Sequence, residues 1–316
     1  MKCINKFLVI CILCSTLLCG CGAASYDLAY DCGESYKLNT GDILETFAAD
    51  ICVVGGDVAV DTISMSANTC AGLFDVNQKE TLYALNVSEQ LEPASLTKIM
   101  TALVALKYGS LDQVLTASDS VNITESGAQL IGLSKGDSMT LSQALHILLI
   151  YSANDVAMLI AEGIGGDVDT FVDMMNEEAR EIGATKCNFE NPHGLTSDNH
   201  YVTAYDMYLI FNAAMQYDTF QEIINMASYS TSYTKSDGSS QSVEINSTNG
   251  YLRGDRTAPT NVTVIGGKTG TTNAAGHCLI LLAKDTSGNP YIAVVMRAED
   301  SDTLYNEMNA LLATIP

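Results

Sequence analysis

The chain has 316 residues, 47% of them apolar, and carries 37 acidic against 15 basic residues for a formal charge of −22. That length and apolar content suffice to bury a sizeable core in one or two domains. The acidity, without any run of five basic residues, argues against a nucleic-acid partner.

The N-terminus differs from the rest. Lys2 and Lys6 precede an uncharged apolar run from Phe7 to Cys19. The run is short for a membrane span and suits a secretory signal, so residues 1–20 are expected to be a signal peptide. Leu18-Cys19-Gly20-Cys21 resembles a bacterial lipobox, which predicts cleavage before Cys21 and a diacylglyceryl group on its thiol. Two acyl chains anchor stably where one does so marginally. The alternative is an ordinary signal cleaved near Ala23-Ala24 and a secreted product. Of ten cysteines, Cys3, Cys11, Cys14 and Cys19 leave with the signal, so Cys11-x-x-Cys14 is no redox motif. With Cys21 lipidated, Cys32, Cys52, Cys70, Cys187 and Cys278 remain. The number is odd, so at least one thiol is unpaired or pairs between chains. Buried free thiols are the plain reading; a Cys32–Cys52 bridge is allowed by the sequence but not established by it.

Residues 21–60 are small, acidic and weakly patterned, and read as a lipid-anchored tether with a short ordered piece at most. The folded domain is expected over 61–316. Residues 71–76 and 81–85, around the polar turn Asn77-Gln78-Lys79-Glu80, predict a hairpin. Pro93 opens a predicted helix to about Tyr108, with Ile99, Met100, Leu103 and Leu106 on its apolar faces. Residues 141–183 read as helices interrupted at Ser152-Ala153-Asn154-Asp155, and Tyr205–Met215 as one more. Strands return after Gly267, and a last helix starts near Ser301. Strands at both ends of a helical middle predict an α+β fold, an antiparallel sheet flanked by helices with an α-helical insertion.

Three strings carry chemistry: Ser95-Leu96-Thr97-Lys98, Ser152-Ala153-Asn154 and Lys268-Thr269-Gly270. They match the Ser-x-x-Lys, Ser-x-Asn and Lys-Thr-Gly set of serine penicillin-recognising enzymes. Each of the first two has rivals. Ser232-x-x-Lys235 lies in a polar Ser/Thr/Gly stretch that offers no rigid support. Ser95 and Lys98 instead sit one turn apart at the start of an apolar helix, where unpaired N–H groups activate an oxygen and a lysine can be pushed toward neutrality. Ser66-Ala67-Asn68, Ser120-Val121-Asn122 and Ser197-Asp198-Asn199 also fit the second string, the last in a hydrophilic loop. Ser152 lies between apolar helical runs, where polar groups must find partners. Taken singly, Ser95 and Lys98 could be a helix cap and a surface lysine, and Ser152 and Asn154 caps. Lys268-Thr269-Gly270 occurs once, among glycines that suit an edge strand approached closely by another backbone. Alternation puts Lys268 and Gly270 on one face. A lysine, hydroxyls and a bare strand edge suit an extended peptide ending in a carboxylate.

The residues from Pro93 to Leu103, Tyr151 to Ala157, and Gly267 to Gly276 resemble the motif segments of low-molecular-weight D-Ala-D-Ala carboxypeptidases, a penicillin-binding family. So does Asn191-Pro192-His193-Gly194-Leu195 with His200 and Thr203-Ala204-Tyr205-Asp206 between the second and third motifs. The resemblance spans roughly residues 66–298. It implies a β-lactamase/transpeptidase-like fold and removal of the terminal D-alanine from peptidoglycan stem peptides. Ser95 would attack the carbonyl between the two D-alanines and Lys98 would take its proton. Ser152 would relay a proton to the leaving amine, while Asn154 would bind substrate backbone and steady Lys98. Lys268 and Thr269, beside Gly270, would bind the terminal carboxylate, and the N–H groups of Ser95 and Thr271 would form the oxyanion hole. β-Lactams would be inhibitors. No cofactor or metal is implied, and His146, His193, His200 and His277 are read as structural. The expected location is the outer face of the cytoplasmic membrane.

The chain departs from familiar members in two ways. Many carry a β-rich domain and an amphipathic helix after the catalytic domain, for which the stretch beyond Gly270 leaves no room; the N-terminal lipid would take over anchoring. Some carry an arginine before the Asn-Gly ahead of the third motif, where this chain has Thr248; Arg253 and Arg256 lie close by. Among alternatives, a class A-like β-lactamase needs a deacylating Glu after the second motif, and this chain has Asn191-Pro192-His193-Gly194 there. A non-catalytic wall-binding lipoprotein would have no use for the intact motif set. Transpeptidase or endopeptidase use of the same site is left open.

Overall fold

The computed structural model describes residues 48–316. The expected signal peptide, Cys21, Cys32 and the expected tether as far as residue 47 lie outside the described residues. Strands β1 (Cys70–Asp75) and β2 (Glu80–Leu85) form the expected hairpin. A 3-10 turn, Ala94–Leu96, leads into helix α1 (Thr97–Tyr108). Every α1 residue from Thr97 to Ala105 is buried, so this helix is a central post rather than a surface helix.

Short strands β3 (Val114–Thr116) and β4 (Ser138–Thr140) follow. Helix α2 (Leu141–His146) opens on a Thr140/Gln143 capping box and runs into a π-turn, Ile147–Tyr151. Helices α3 (Asn154–Gly165), α4 (Val168–Glu181), α5 (Ala204–Ala214) and α6 (Asp218–Ile224) complete the helical middle. Strands β5 (Ser228–Thr234) and β6 (Ser240–Asn246) and the single turn α7 (Gly250–Arg253) come next. Strands β7 (Val262–Thr272), β8 (Gly276–Asp285) and β9 (Pro290–Ala298) and helix α8 (Ser301–Leu312) close the chain.

The main sheet is antiparallel in the order β2-β1-β9-β8-β7, so the first two strands and the last three meet and the middle of the chain is an insertion between them. One face of the sheet packs with Phe74, Ile280 and Val294 against α1 and the helical middle. The other packs with Leu73, Leu279 and Val295 under Leu304, Met308 and Leu311 of α8. The third motif thus falls on β7, an edge strand, as its glycines predict.

The structure differs from the sequence reading in two places. A second sheet, β3-β4-β5-β6, lies within the insertion. Its first two strands have three residues each, too short to register as a pattern, and the β5–β6 hairpin is so rich in Ser and Thr that it reads as loop. Tyr233 and Ile245 supply its buried positions. Ser232 therefore sits in a regular strand, exposed to solvent. Second, the folded domain begins before residue 61. Cys52 is fully buried, its N–H donates to the Tyr208 hydroxyl at 2.8 Å, and its thiol donates to the Asp75 carbonyl. Val58 pairs with Ala84 as a short extension of the sheet. Ordered backbone satisfied by partners, not composition, marks the start of the domain.

Candidate active site

Ser95 lies in the 3-10 turn that precedes α1, so the turn and the first helical turn carry Ser95 and Lys98 together. Lys98 is completely buried. Its Nζ donates to Asn154 Oδ1 and to the His193 carbonyl, both at 2.6 Å, and stands 2.9 Å from Ser95 Oγ. Burial above all, reinforced by the charge of Lys268, holds its pKa well below the ordinary lysine value; Asp155 opposes the shift. With two N–H groups committed to oxygen acceptors, the lone pair of a neutral amine faces the serine hydroxyl.

Ser152 closes the π-turn in a left-handed conformation, φ 71°, and is followed by extended Ala153 and then α3. It is no helix cap. The reversal aims its hydroxyl at Lys268, whose Nζ donates to Ser152 Oγ at 2.9 Å and to the Thr269 carbonyl at 2.7 Å. Lys268 is also completely buried, and burial brings its pKa down to about 7. Two lysines and two serines therefore alternate across one cleft.

Strand β7 meets the Ala94–Leu96 turn through Gly270. A Cβ there would stand 2.9 Å from Ser95 N and 3.1 Å from Ala94 Cβ, so only a glycine lets the strand lie against this turn. Thr269 Oγ1 donates to Thr248 Oγ1 at 2.6 Å. Thr271 is exposed at the lip, 3.4 Å from His277 Nδ1. The cleft has a volume of about 450 Å³ and is lined by Ser95, Ser152, Asn154, Thr248, Thr269 and Thr271 among others. Arg253 and Arg256 line it too, paired with Asp255 and Asp302. Asp255 is the one carboxylate among the described lining residues.

All seven motif residues from Ser95 to Gly270 named above converge on this cleft, and Thr271 stands at its edge. Three supports were not legible in the sequence. Asp155 accepts from the N–H groups of Ile131, Gly132 and Leu133, pinning the segment that carries Gln129 into the cleft wall. The loop 188–201 reaches α1 through Thr101, which donates to the Pro192 carbonyl at 2.6 Å. The same loop places His200 Nε2 2.9 Å from Thr97 Oγ1. Asp155, Pro192 and His200 fall within the strings that carry the family resemblance, but nothing in those strings says which backbone groups they meet.

Residues 58–300 match the D-alanyl-D-alanine carboxypeptidase family. The chain is 31% identical over 250 residues to D-alanyl-D-alanine carboxypeptidase DacC of Escherichia coli, covering 76% of this chain and 59% of that protein. It is 37% identical over 154 residues to DacF of Bacillus subtilis, 47% of this chain and 39% of that protein. The chain thus spans about half the length of the curated relatives it matches. Among solved structures, a Streptomyces DD-transpeptidase shares the fold with a TM-score of 0.70, covering 79% of this chain and 97% of its own at 24% identity. A structure described as an evolved penicillin-binding protein homolog from Mycobacterium tuberculosis gives 0.69, with 83% and 96% covered at 28% identity.

Proposed function

Since the chain belongs to the D-alanyl-D-alanine carboxypeptidase family, we propose that it removes the terminal D-alanine from peptidoglycan stem pentapeptides through an acyl-enzyme on Ser95. The observation that carries the reading is a buried, neutral-leaning Lys98 amine 2.9 Å from Ser95 Oγ.

Ser95 attacks the carbonyl between the two D-alanines as Lys98 takes its proton. The negative charge on the carbonyl oxygen is met by the Ser95 and Thr271 N–H groups. The leaving amine receives a proton through Ser152, which Lys268 keeps in reach. Lys268 and Thr269 draw the terminal carboxylate along β7, and Asn154 both steadies Lys98 and offers its amide to substrate backbone. Water then releases the acyl group. We also propose export through the signal, lipidation at Cys21 and action on the outer face of the cytoplasmic membrane; the apolar run and the lipobox-like string support this.

Labelled penicillin is expected to attach covalently, on a peptide containing Ser95, and Ser95→Ala to abolish the label. Among the described lining residues the one carboxylate, Asp255, is held by Arg253. Penicillin should accordingly leave slowly. Label on Ser232, or rapid repeated turnover of penicillin, would each contradict the reading.

A further inference from the structure

We propose that His200 and Thr97 are positioning residues that fix the Ala94–Ser95 peptide group, and with it the aim of the Ser95 N–H. The inference rests on the Ser95 reading above. Ala94, immediately before the nucleophile, has φ 48°, a left-handed conformation that a residue with a Cβ holds only when its surroundings enforce it. Beside the Thr97 backbone N–H, which also donates to the Ala94 carbonyl, three contacts do so. Thr97 Oγ1 donates to the Ala94 carbonyl at 2.9 Å. Thr97 Oγ1 is itself 2.9 Å from His200 Nε2. Gly194 lies against the same carbonyl so closely that a Cβ on it would stand 1.8 Å from the oxygen.

The direction of the chain of bonds follows from its far end. His200 Nδ1 accepts the Glu190 N–H at 3.1 Å, so in the neutral ring the proton is on Nε2. Nε2–H then donates to Thr97 Oγ1, which frees the hydroxyl proton for Ala94 O. Thr97 is fully buried and His200 nearly so, and burial lowers the His200 pKa to about 4, which keeps this arrangement intact near neutral pH.

The Ala94 C=O and the Ser95 N–H belong to one planar peptide unit and point in opposite directions. A hydroxyl that fixes the carbonyl on the back therefore fixes the N–H on the front. It also polarises the amide, since hydrogen bonds in a chain strengthen one another. Neither Thr97 nor His200 lines the cleft. They act through the peptide group, on the charge that develops during acylation.

The test measures the second-order rate of labelling by fluorescent penicillin, together with kcat and KM for a D-Ala-D-Ala peptide. Thr97→Val keeps the shape and removes the hydroxyl; it should slow labelling and lower kcat by ~10-fold or more, with KM changed less than about two-fold. Thr97→Ser should recover most of the rate. His200→Gln, which can still present an N–H, should retain more rate than His200→Ala. The Thr97→Val/His200→Ala double variant should be about as slow as Thr97→Val alone, because both break one chain. Thermal melting identifies a variant that fails to fold, in which case Thr97→Ser and His200→Gln carry the comparison. Wild-type labelling with an undiminished rate in Thr97→Val, a loss that Thr97→Ser does not recover, or fully additive losses would overturn this inference alone. A wild-type protein that takes no label at Ser95 overturns the Ser95 reading and this inference with it.

Discussion

Two buried ammonium groups in one cleft repel each other, and neither keeps an ordinary lysine pKa. In the proposed mechanism Lys98 is of use as a base only when neutral, and Lys268 attracts a carboxylate only when charged. As pH rises through about 7, Lys268 loses its proton in the free protein. A bell-shaped kcat/KM is expected for a peptide with a free terminus. Lys268→Arg should move the falling limb upward. Lys268→Ala should lower kcat/KM by ~100-fold or more for the free terminus and far less for an amidated one; equal losses would refute carboxylate recognition. Stability gives an independent reading. Unfolded, this lysine titrates near 10.5; folded, near 7. Between those values the unfolded chain binds a proton that the folded chain lacks, so stability rises with pH there, and the penalty is complete below about 7. Urea unfolding at pH 6 and pH 8 should show a gain in the wild type and a smaller gain in Lys268→Met.

Secondary-structure elements matter here chiefly through their ends and irregularities. The π-turn Ile147–Tyr151 and left-handed Ser152 break the run from α2 to α3 at the point where the hydroxyl must turn toward β7. At the start of α3, Asp155 accepts from the N–H of Val156 as well as from the three N–H groups of the 131–133 segment. Its carboxylate ties a loop to a helix that carries Asn154. Asp155→Asn replaces one acceptor oxygen by a donor facing those N–H groups. The expected cost is ~1–3 kcal/mol. Amide exchange should quicken in residues 127–133 and KM should rise. Unchanged exchange there would mean the segment is held by Asn154 and Gln129 alone.

At the scale of the whole molecule, the main sheet is assembled from the two ends of the chain, and the cleft lies where the insertion returns to its edge. Ser95 comes from the turn before α1, Ser152 from the middle of the insertion, and Lys268 from β7; closing the sheet brings them together. The segment from Cys52 to Val58 is part of this body, so in the proposed lipid-anchored form the spacer would end before it. If Cys21 carries the lipid, Cys21→Ser should release the protein into the medium or leave it unprocessed, with penicillin labelling of the domain retained. Mass spectrometry of the wild-type N-terminus checks the premise: an unmodified start at Ala23, Ala24 or Ser25 rules out the lipid anchor.

Much of the site was already legible in the sequence, because the motif residues are polar groups forced into apolar surroundings and glycines demanded by close approach. Ser95, Lys98, Ser152 and Asn154 stand in or beside helical runs whose periodicity is plain, and Gly270 marks β7 as a strand that another backbone touches. The first hairpin, the central helix and the closing helix follow from the same patterns. The sequence was silent where short or polar segments draw their structure from distant partners. Strands of three residues, a hairpin built of Ser and Thr, and the packed piece around Cys52 have no periodicity of their own; their hydrogen bonds and buried faces exist only once the chain has closed. The same holds for the contacts of His200, Asp155 and Gly194. Each is a single polar or bare position whose partner lies far along the chain, as His200 does from Thr97, and only tertiary packing decides which backbone group it meets.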